Sequence, residues 1–307
     1  MTGTDRNDSW GALVLGPSCA NACVFCEHRG RVPPAEQKAQ LSAAMANILD
    51  FKRRGIRNVE ISGADPVEYE KLPELIAYLK KLGFGEIQVS THGRGFGDAA
   101  FLGRAAASGL TRLRIPLYGS KASVHDAVTG ARGSFRGTWA AVKNALKLAP
   151  RVSLEVSTLV TRYNAADLKA LARLCRKAGV ASFYVSYPCI KSGDLSYYLP
   201  LKDAAGPLRE LFAWSEKAGF PFPFREIPFC VFGRDDARID NRARPPDLGA
   251  SSPLPEKLRG ARRNIPAYRE KRHAAICARC RLAGRCDGFF ANDLGRFGTG
   301  RLRPLRA

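Results

Sequence analysis

The sequence predicts an α/β fold on a parallel sheet, with a small irregular C-terminal region after it. Two observations carry this expectation. Short apolar or β-branched runs alternate six times with longer amphipathic stretches, the rhythm of repeated βα units. After about Gly219 the rhythm stops and Pro- and Phe-rich chain takes over. Trp10 to Leu15 is the first strand, followed by helix Ala35 to Arg54. Asn58 to Ser62 is the second, with helix Val67 to Leu82. Glu86 to Thr91 with Asp98 to Ser108, and Arg112 to Leu117 with Ser134 to Leu148, make the next two units. Arg151 to Leu159 leads into Ala165 to Ala178, and Ser182 to Tyr187 into Leu201 to Ala218. Such a series either closes partly into a barrel or lies open as a doubly wound sheet. In both, chemistry sits at the C-terminal ends of the strands.

The chain has 307 residues, 45% hydrophobic and 25% charged, an ordinary globular composition that excludes a disordered or fibrous protein. Residues 1–218 hold the repeated units, and 219–307 form the appended region. No apolar run approaches the roughly 18 residues of a membrane span, and Met1 to Asp8 lacks the layout of a signal peptide. The expectation is a soluble, cytoplasmic protein with no membrane partner. The formal charge is +21, and 18 Lys and Arg against 8 Asp and Glu fall from Arg234 onward. This excess reflects either a basic source composition or a surface that meets phosphates or an acidic peptide.

Six of the nine cysteines fall into two tight groups. In a reducing compartment, clustered thiols are metal ligands or catalytic groups more often than disulfides. Cys19, Cys23 and Cys26 form C-x3-C-x2-C in the loop after the first strand. Three thiolates are one too few for a closed tetrahedral site, so a fourth position is left for something else, or for His28 if the site is a structural zinc. Cys277, Cys280 and Cys286 form C-x2-C-x5-C, and Cys230 brings that group to four. Four thiolates suit zinc or an iron–sulfur cluster equally well. Cys175 on a helix reads as a packed thiol, and Cys189 lies near the strand ends.

Cys19-x3-Cys23-x2-Cys26, with the aromatic Phe25 before the last cysteine, resembles the defining motif of the radical S-adenosylmethionine (radical SAM) enzymes. The resemblance covers about residues 10 to 218 and implies a partial (β/α)6 TIM-like barrel. It implies a [4Fe–4S] cluster on the three cysteines, with S-adenosylmethionine on the fourth iron. Ser62-Gly63-Ala64-Asp65-Pro66 ends the second strand where the family carries a Gly-Gly-Glu-Pro type sequence for the methionine amino group. Gly63 and Pro66 match, while Ala64 and Asp65 depart. Ser90, Thr91 and His92 end the third strand, and Ser157 lies on the fifth, where the family places groups touching the methionine carboxylate or the ribose. Ser157 reads equally well as an ordinary strand serine.

Arg114 and Glu155 lie within otherwise apolar strands, pointing inward as a pair in a polar cavity or outward under helix termini. Inward, Arg114 meets cofactor or substrate. Tyr118 and Tyr187, at strand ends, are candidate substrate contacts, while His125 and Asp126 read as loop capping. The Cys277, Cys280 and Cys286 spacing, followed by Asp287-Gly288-Phe289-Phe290, resembles the SPASM extension or its shorter twitch form. Phe290 stands where a full SPASM region has a further cysteine, which implies one auxiliary [4Fe–4S] cluster. The implied activity is radical hydrogen abstraction from a substrate, assisted toward net oxidation by the auxiliary cluster. The implied partners are a ribosomally made peptide and an electron donor such as flavodoxin or ferredoxin. A phosphorylated or nucleotide metabolite, RNA, and a non-catalytic iron–sulfur or zinc scaffold remain open beside it.

Overall fold

Repeated βα units bring their strands side by side in chain order, because each crossover returns the chain next to the strand it left. The computed structural model describes residues 10–16, 18–26, 30–31, 34–190, 195–241 and 269–306. Its main parallel sheet has eight strands, each next to its predecessor. These are β1 (Trp10–Val14), β2 (Asn58–Ser62), β3 (Ile87–Ser90), β4 (Arg112–Pro116), β5 (Ser153–Leu159), β6 (Ser182–Ser186), β7 (Phe224–Arg225) and β8 (Ile239–Asp240). The helices between them are α1 (Pro34–Arg53), α2 (Leu72–Lys81), α3 (Ala99–Ser108), α4 (Ala122–Thr129), α5 (Ser134–Leu146), α6 (Leu168–Ala178), α7 (Leu201–Lys217) and α8 (Phe229–Phe232). A further helix, α9, spans Ala291–Phe297. This is the expected α/β architecture, with three departures.

The sheet has two more strands than expected. β7 and β8 are two residues each, too short to leave an alternating pattern in the sequence. His125 and Asp126 belong to helix α4, not to a loop. The expected helix from Val67 is also interrupted. Asp65 accepts from the Val67 N–H at 3.4 Å and caps a single turn, Pro66–Glu68, before α2 begins at Leu72. The Pro-rich stretch from Arg244 to Pro255 lies outside the described residues.

The chain divides into two compact units. The first contains the described residues up to 117 together with 129–155. Its strands are in register as Leu13↔Ile61, Ile61↔Val89 and Val89↔Leu113, which puts these four on one face of the pleat. All four are almost fully buried. That face lies under helices: a Cβ on Gly11 would meet the Phe51 ring of α1 at 2.5 Å, and Gly93 packs against Ile115 and Ala141 of α5. The opposite face carries Ala12, Glu60, Gln88 and Arg112 in one row, with Ser90 beside Arg114. A polar face opposite an apolar one is the pattern of a sheet whose second surface lines a cavity rather than a packed core.

The second unit contains 118–128 and the described residues from 156 onward. Its core is aromatic. Phe224 packs its ring 5.2 Å from Phe212, 5.2 Å from Phe222 and 5.0 Å from Phe232. Full burial of such a ring contributes about 1.5–3 kcal/mol. Helix α9 is tied to this unit by Asp293, which accepts from the Tyr198 hydroxyl at 2.9 Å and from the Leu201 N–H at the start of α7 at 3.5 Å. Among the described residues, no helix is long and apolar enough to cross a membrane.

Candidate functional site

In the first unit, the cysteine loop leaves the carboxyl end of β1. Cys19 sits in a two-residue strand, Ser18–Cys19, paired with Gly30–Arg31, and a turn closed by Cys26 N–H on Cys23 O (3.0 Å) brings the last two cysteines together. All three thiols are partly exposed. The loop is gripped from both sides. Glu68 accepts from the Ser18 hydroxyl and from the Ala20 N–H (2.7 Å). Arg94 donates to Ala20 O at 2.8 Å and to Asn21 Oδ1 at 3.2 Å. Neither Glu68 nor Arg94 was expected from the sequence, because they lie 48 and 74 residues from Ala20 and nothing in the spacing pairs them with it. His28 lies outside the described residues.

The ends of β1 and β2 approach one another through backbone alone. Leu15 N–H donates to Ser62 O at 2.6 Å. Gly63 has φ +139°, and a Cβ there would lie 2.8 Å from Leu15 C, closer still to its carbonyl oxygen. A Cβ on Gly16 would fall 2.6 Å from Asp65 N. Only glycine fits either position. Asp65 is buried and accepts from the Thr91 hydroxyl, which in turn accepts from the Gly93 N–H at 2.9 Å. His92 Nε2 lies 2.6 Å from Asp65 Oδ2, at ion-pair distance without the alignment of a hydrogen bond, and 3.6 Å from Glu68 Oε1. Burial opposes charge on His92, but Asp65, Cys19 and Glu68 outweigh it and raise the imidazole to about 11. Glu68 is held down to about 2 by its contact with His92, against desolvation, with help from Ser18 and Ala20. Thus Asp65, Thr91 and His92 stand together behind Cys19, with Ala64 and Pro66 on the same turn.

Arg114 takes the orientation away from the helix-covered face. Its Nε donates to Glu155 Oε1 at 2.6 Å and its Nη1 to Glu60 Oε1 at 3.0 Å. Ser90 Oγ donates to the same Glu60 oxygen at 2.5 Å. One guanidinium between two carboxylates makes a partly solvated polar surface at which a substrate's hydrogen-bonding groups find partners.

In the second unit, Ser157 is buried on β5. Tyr187 is buried at the end of β6, and its hydroxyl donates to Leu199 O at 2.7 Å. His125 Nδ1 accepts from the Tyr118 N–H at 3.1 Å. Cys175 is fully buried, and burial pushes its thiol up to about 12. Cys230, Cys277, Cys280 and Cys286 line one pocket, walled by Phe229, Ile276, Leu282 and Phe289. Burial, then the neighbouring sulfurs of Cys286, Cys277 and Cys280, push the Cys230 thiol up to about 12. Thiols that line one apolar recess gain from a bound cation that takes their protons. The spacing of 47 residues between Cys230 and Cys277 is closed by the fold.

A strand-ordered parallel α/β sheet thus carries a three-cysteine loop after its first strand and a glycine-lined cradle after its second. The sequence profile of the Radical SAM superfamily matches residues 13–181, more than half of the chain, and the chain belongs to that superfamily. The family implies S-adenosylmethionine and a [4Fe–4S] cluster. The chain is 29% identical over 168 residues to an AdoMet-dependent heme synthase of Oleidesulfovibrio alaskensis, covering 55% of this chain and 42% of that protein. It is 32% identical over 164 residues to the mycofactocin maturase MftC of Mycobacterium ulcerans, covering 53% and 42%. The matched stretch is therefore under half the length of both relatives. Among solved structures, native anSMEcpe with bound AdoMet superposes with a TM-score of 0.54 at 13% identity, over 71% of this chain and 64% of that one, and so shares the fold.

Proposed function

We propose that this radical SAM enzyme carries a second, auxiliary [4Fe–4S] cluster in a SPASM- or twitch-like region within 219–307, and acts in the cytoplasm as a maturase that oxidises a ribosomally made peptide. The observation that carries this reading is the gathering of Cys230, Cys277, Cys280 and Cys286 around one apolar-walled pocket. Cys19, Cys23 and Cys26 would hold the first cluster, leaving one iron for S-adenosylmethionine. When bound, that pair supplies a 5′-deoxyadenosyl radical after one-electron reduction by a donor such as flavodoxin or ferredoxin.

The chain's own residues do the rest. The cradle of Gly16 and Gly63 supplies close backbone approach, and Asp65 supplies an anionic partner for the methionine ammonium. Ser62, Ser90, Thr91 and His92 are the further cofactor contacts proposed, with Phe25 inside the cysteine loop. Glu68 and Arg94 hold that loop in place. Arg114 and Glu155 orient the substrate on the polar sheet face. Four protein ligands saturate the second centre, so it serves electron transfer rather than substrate binding. Crosslinking, thioether formation and dehydrogenation are the net oxidations it fits. The name of the mycofactocin maturase supports the maturase reading. The excess of positive charge favours a second reading, a phosphorylated or nucleotide metabolite, or RNA.

The test is the quadruple variant Cys230→Ala, Cys277→Ala, Cys280→Ala, Cys286→Ala, reconstituted anaerobically. Iron should fall from about eight to about four per chain. Deoxyadenosine formation should persist while oxidised product is lost. Zinc in the parent protein, or unchanged product in the variant, overturns the reading.

A further inference from the structure

The second unit places a buried polar relay against one of the four cysteines. Asn241 is 1% exposed. Its Nδ2 donates to Cys286 Sγ at 3.1 Å and to Gly288 O at 2.8 Å, so both amide hydrogens are committed. Its Oδ1 and its own carbonyl accept from Lys271 Nζ at 2.8 and 3.0 Å. Lys271 has a side chain only 2% exposed, and its charge is met by Glu226 Oε2 at 2.5 Å. Glu226 also pairs with Arg269 at 3.1 Å. It holds φ +64°, a left-handed conformation that a non-glycine residue adopts only when its surroundings fix it.

A buried lysine costs folding energy unless it is paired, and an amide could satisfy Gly288 without touching sulfur. The arrangement uses a buried ion pair to orient and polarise one side-chain amide, whose hydrogen ends on the Cys286 sulfur. The geometry points to Asn241 as a positioning residue that sets the reduction potential of the auxiliary cluster, with Lys271 and Glu226 as the charged pair that grades its effect. This rests on the second-cluster reading above. A hydrogen bond to a ligand sulfur withdraws negative charge and favours the reduced cluster, so the amide raises the potential. The positive charge of Lys271 strengthens that pull through the Asn241 carbonyl oxygen, and Glu226 offsets it.

The experiment uses the full chain carrying Cys19→Ala, Cys23→Ala and Cys26→Ala, so that only the second centre titrates, and follows it by EPR during redox titration. Asn241→Asp keeps the shape and the Lys271 partner but replaces the sulfur-directed donor with an anionic oxygen. At fixed ambient potential its reduced-to-oxidised ratio should fall at least about threefold, the effect of one weak hydrogen bond. Lys271→Met should shift the ratio in the same direction, and Glu226→Gln in the opposite one. A background chain that binds zinc, or no iron, overturns the second-cluster reading and this inference together. Four irons and four sulfides per chain with an unmoved ratio in Asn241→Asp overturn this inference alone. If Asn241→Asp loses its iron, the other pair decides, and shifts of the same sign in Lys271→Met and Glu226→Gln overturn the relay.

Discussion

Gly63→Ala tests whether the cradle behind the cysteine loop depends on backbone contact. The substitution does two things at once. It places an L-residue at φ +139°, and it puts a Cβ 2.8 Å from Leu15 C and 2.9 Å from Leu15 N. Both are main-chain atoms of the neighbouring strand end, so no side chain can swing away. Reaching an ordinary 3.4 Å contact requires the two strand ends to separate by at least about 0.6 Å, against the 2.6 Å hydrogen bond from Leu15 N–H to Ser62 O. The backbone conformation costs about 1–3 kcal/mol, and weakening one buried hydrogen bond adds about 1 kcal/mol. Gly55→Ala is the control, since Gly55 has φ +70° and nothing within 4 Å of a Cβ. It pays the conformational cost alone. Urea unfolding of the apoprotein should place Gly63→Ala below Gly55→Ala, and equilibrium dialysis of the reconstituted protein should show S-adenosylmethionine binding weakened at least tenfold only in Gly63→Ala, since a shift approaching 1 Å at a site costs about that much or more. Equal stabilities and unchanged affinity would refute the close-approach argument.

Two further outcomes follow from the same geometry. Glu68→Gln keeps the size of the side chain but removes the charge that faces His92 and holds Ser18 and Ala20. The first cluster should then be lost to chelator several-fold faster, as read by the decay of its visible absorbance. Asp293 is raised above the usual carboxylate range by burial, against hydrogen bonds from Tyr198 and Leu201 that favour its charge. Because its folded pKa is the higher one, the unfolded chain gives up this proton first, so stability falls as pH rises from about 4 through the folded pKa. Asn cannot titrate, so apo Asp293→Asn should lose that descent in urea unfolding as the pH rises above about 4. An unchanged slope would show that Asp293 is not the group responsible.

The elements legible in the sequence are those long enough to show a period. The first six strands and the longer helices stand within a few residues of their expected positions, because alternation and amphipathic spacing survive over five or more residues. β7 and β8, at two residues each, carry no period at all. Helix α4 hid in what reads as a loop containing His125 and Asp126, since eight residues beginning at Ala122 give little over two turns of signal.

The candidate site divides along the same line. Cys19, Cys23 and Cys26 share one loop by local spacing, three thiols within eight residues whatever the rest of the chain does. The family's strand-end positions around Gly63 and His92 could likewise be placed by counting strands. Arg114 with Glu155 was foreseen as a pair only because two charges stood in apolar strands. That Glu60 and Ser90 join them depends on the register of β2, β3 and β4. Glu68 and Arg94 on the cysteine loop, and Asn241 on Cys286 across 45 residues, are decided by tertiary structure alone. The reason is physical. A ligand set within one loop is specified by short-range chain geometry, whereas the groups that orient it are brought in from distant segments whose contacts form only when the whole core is packed.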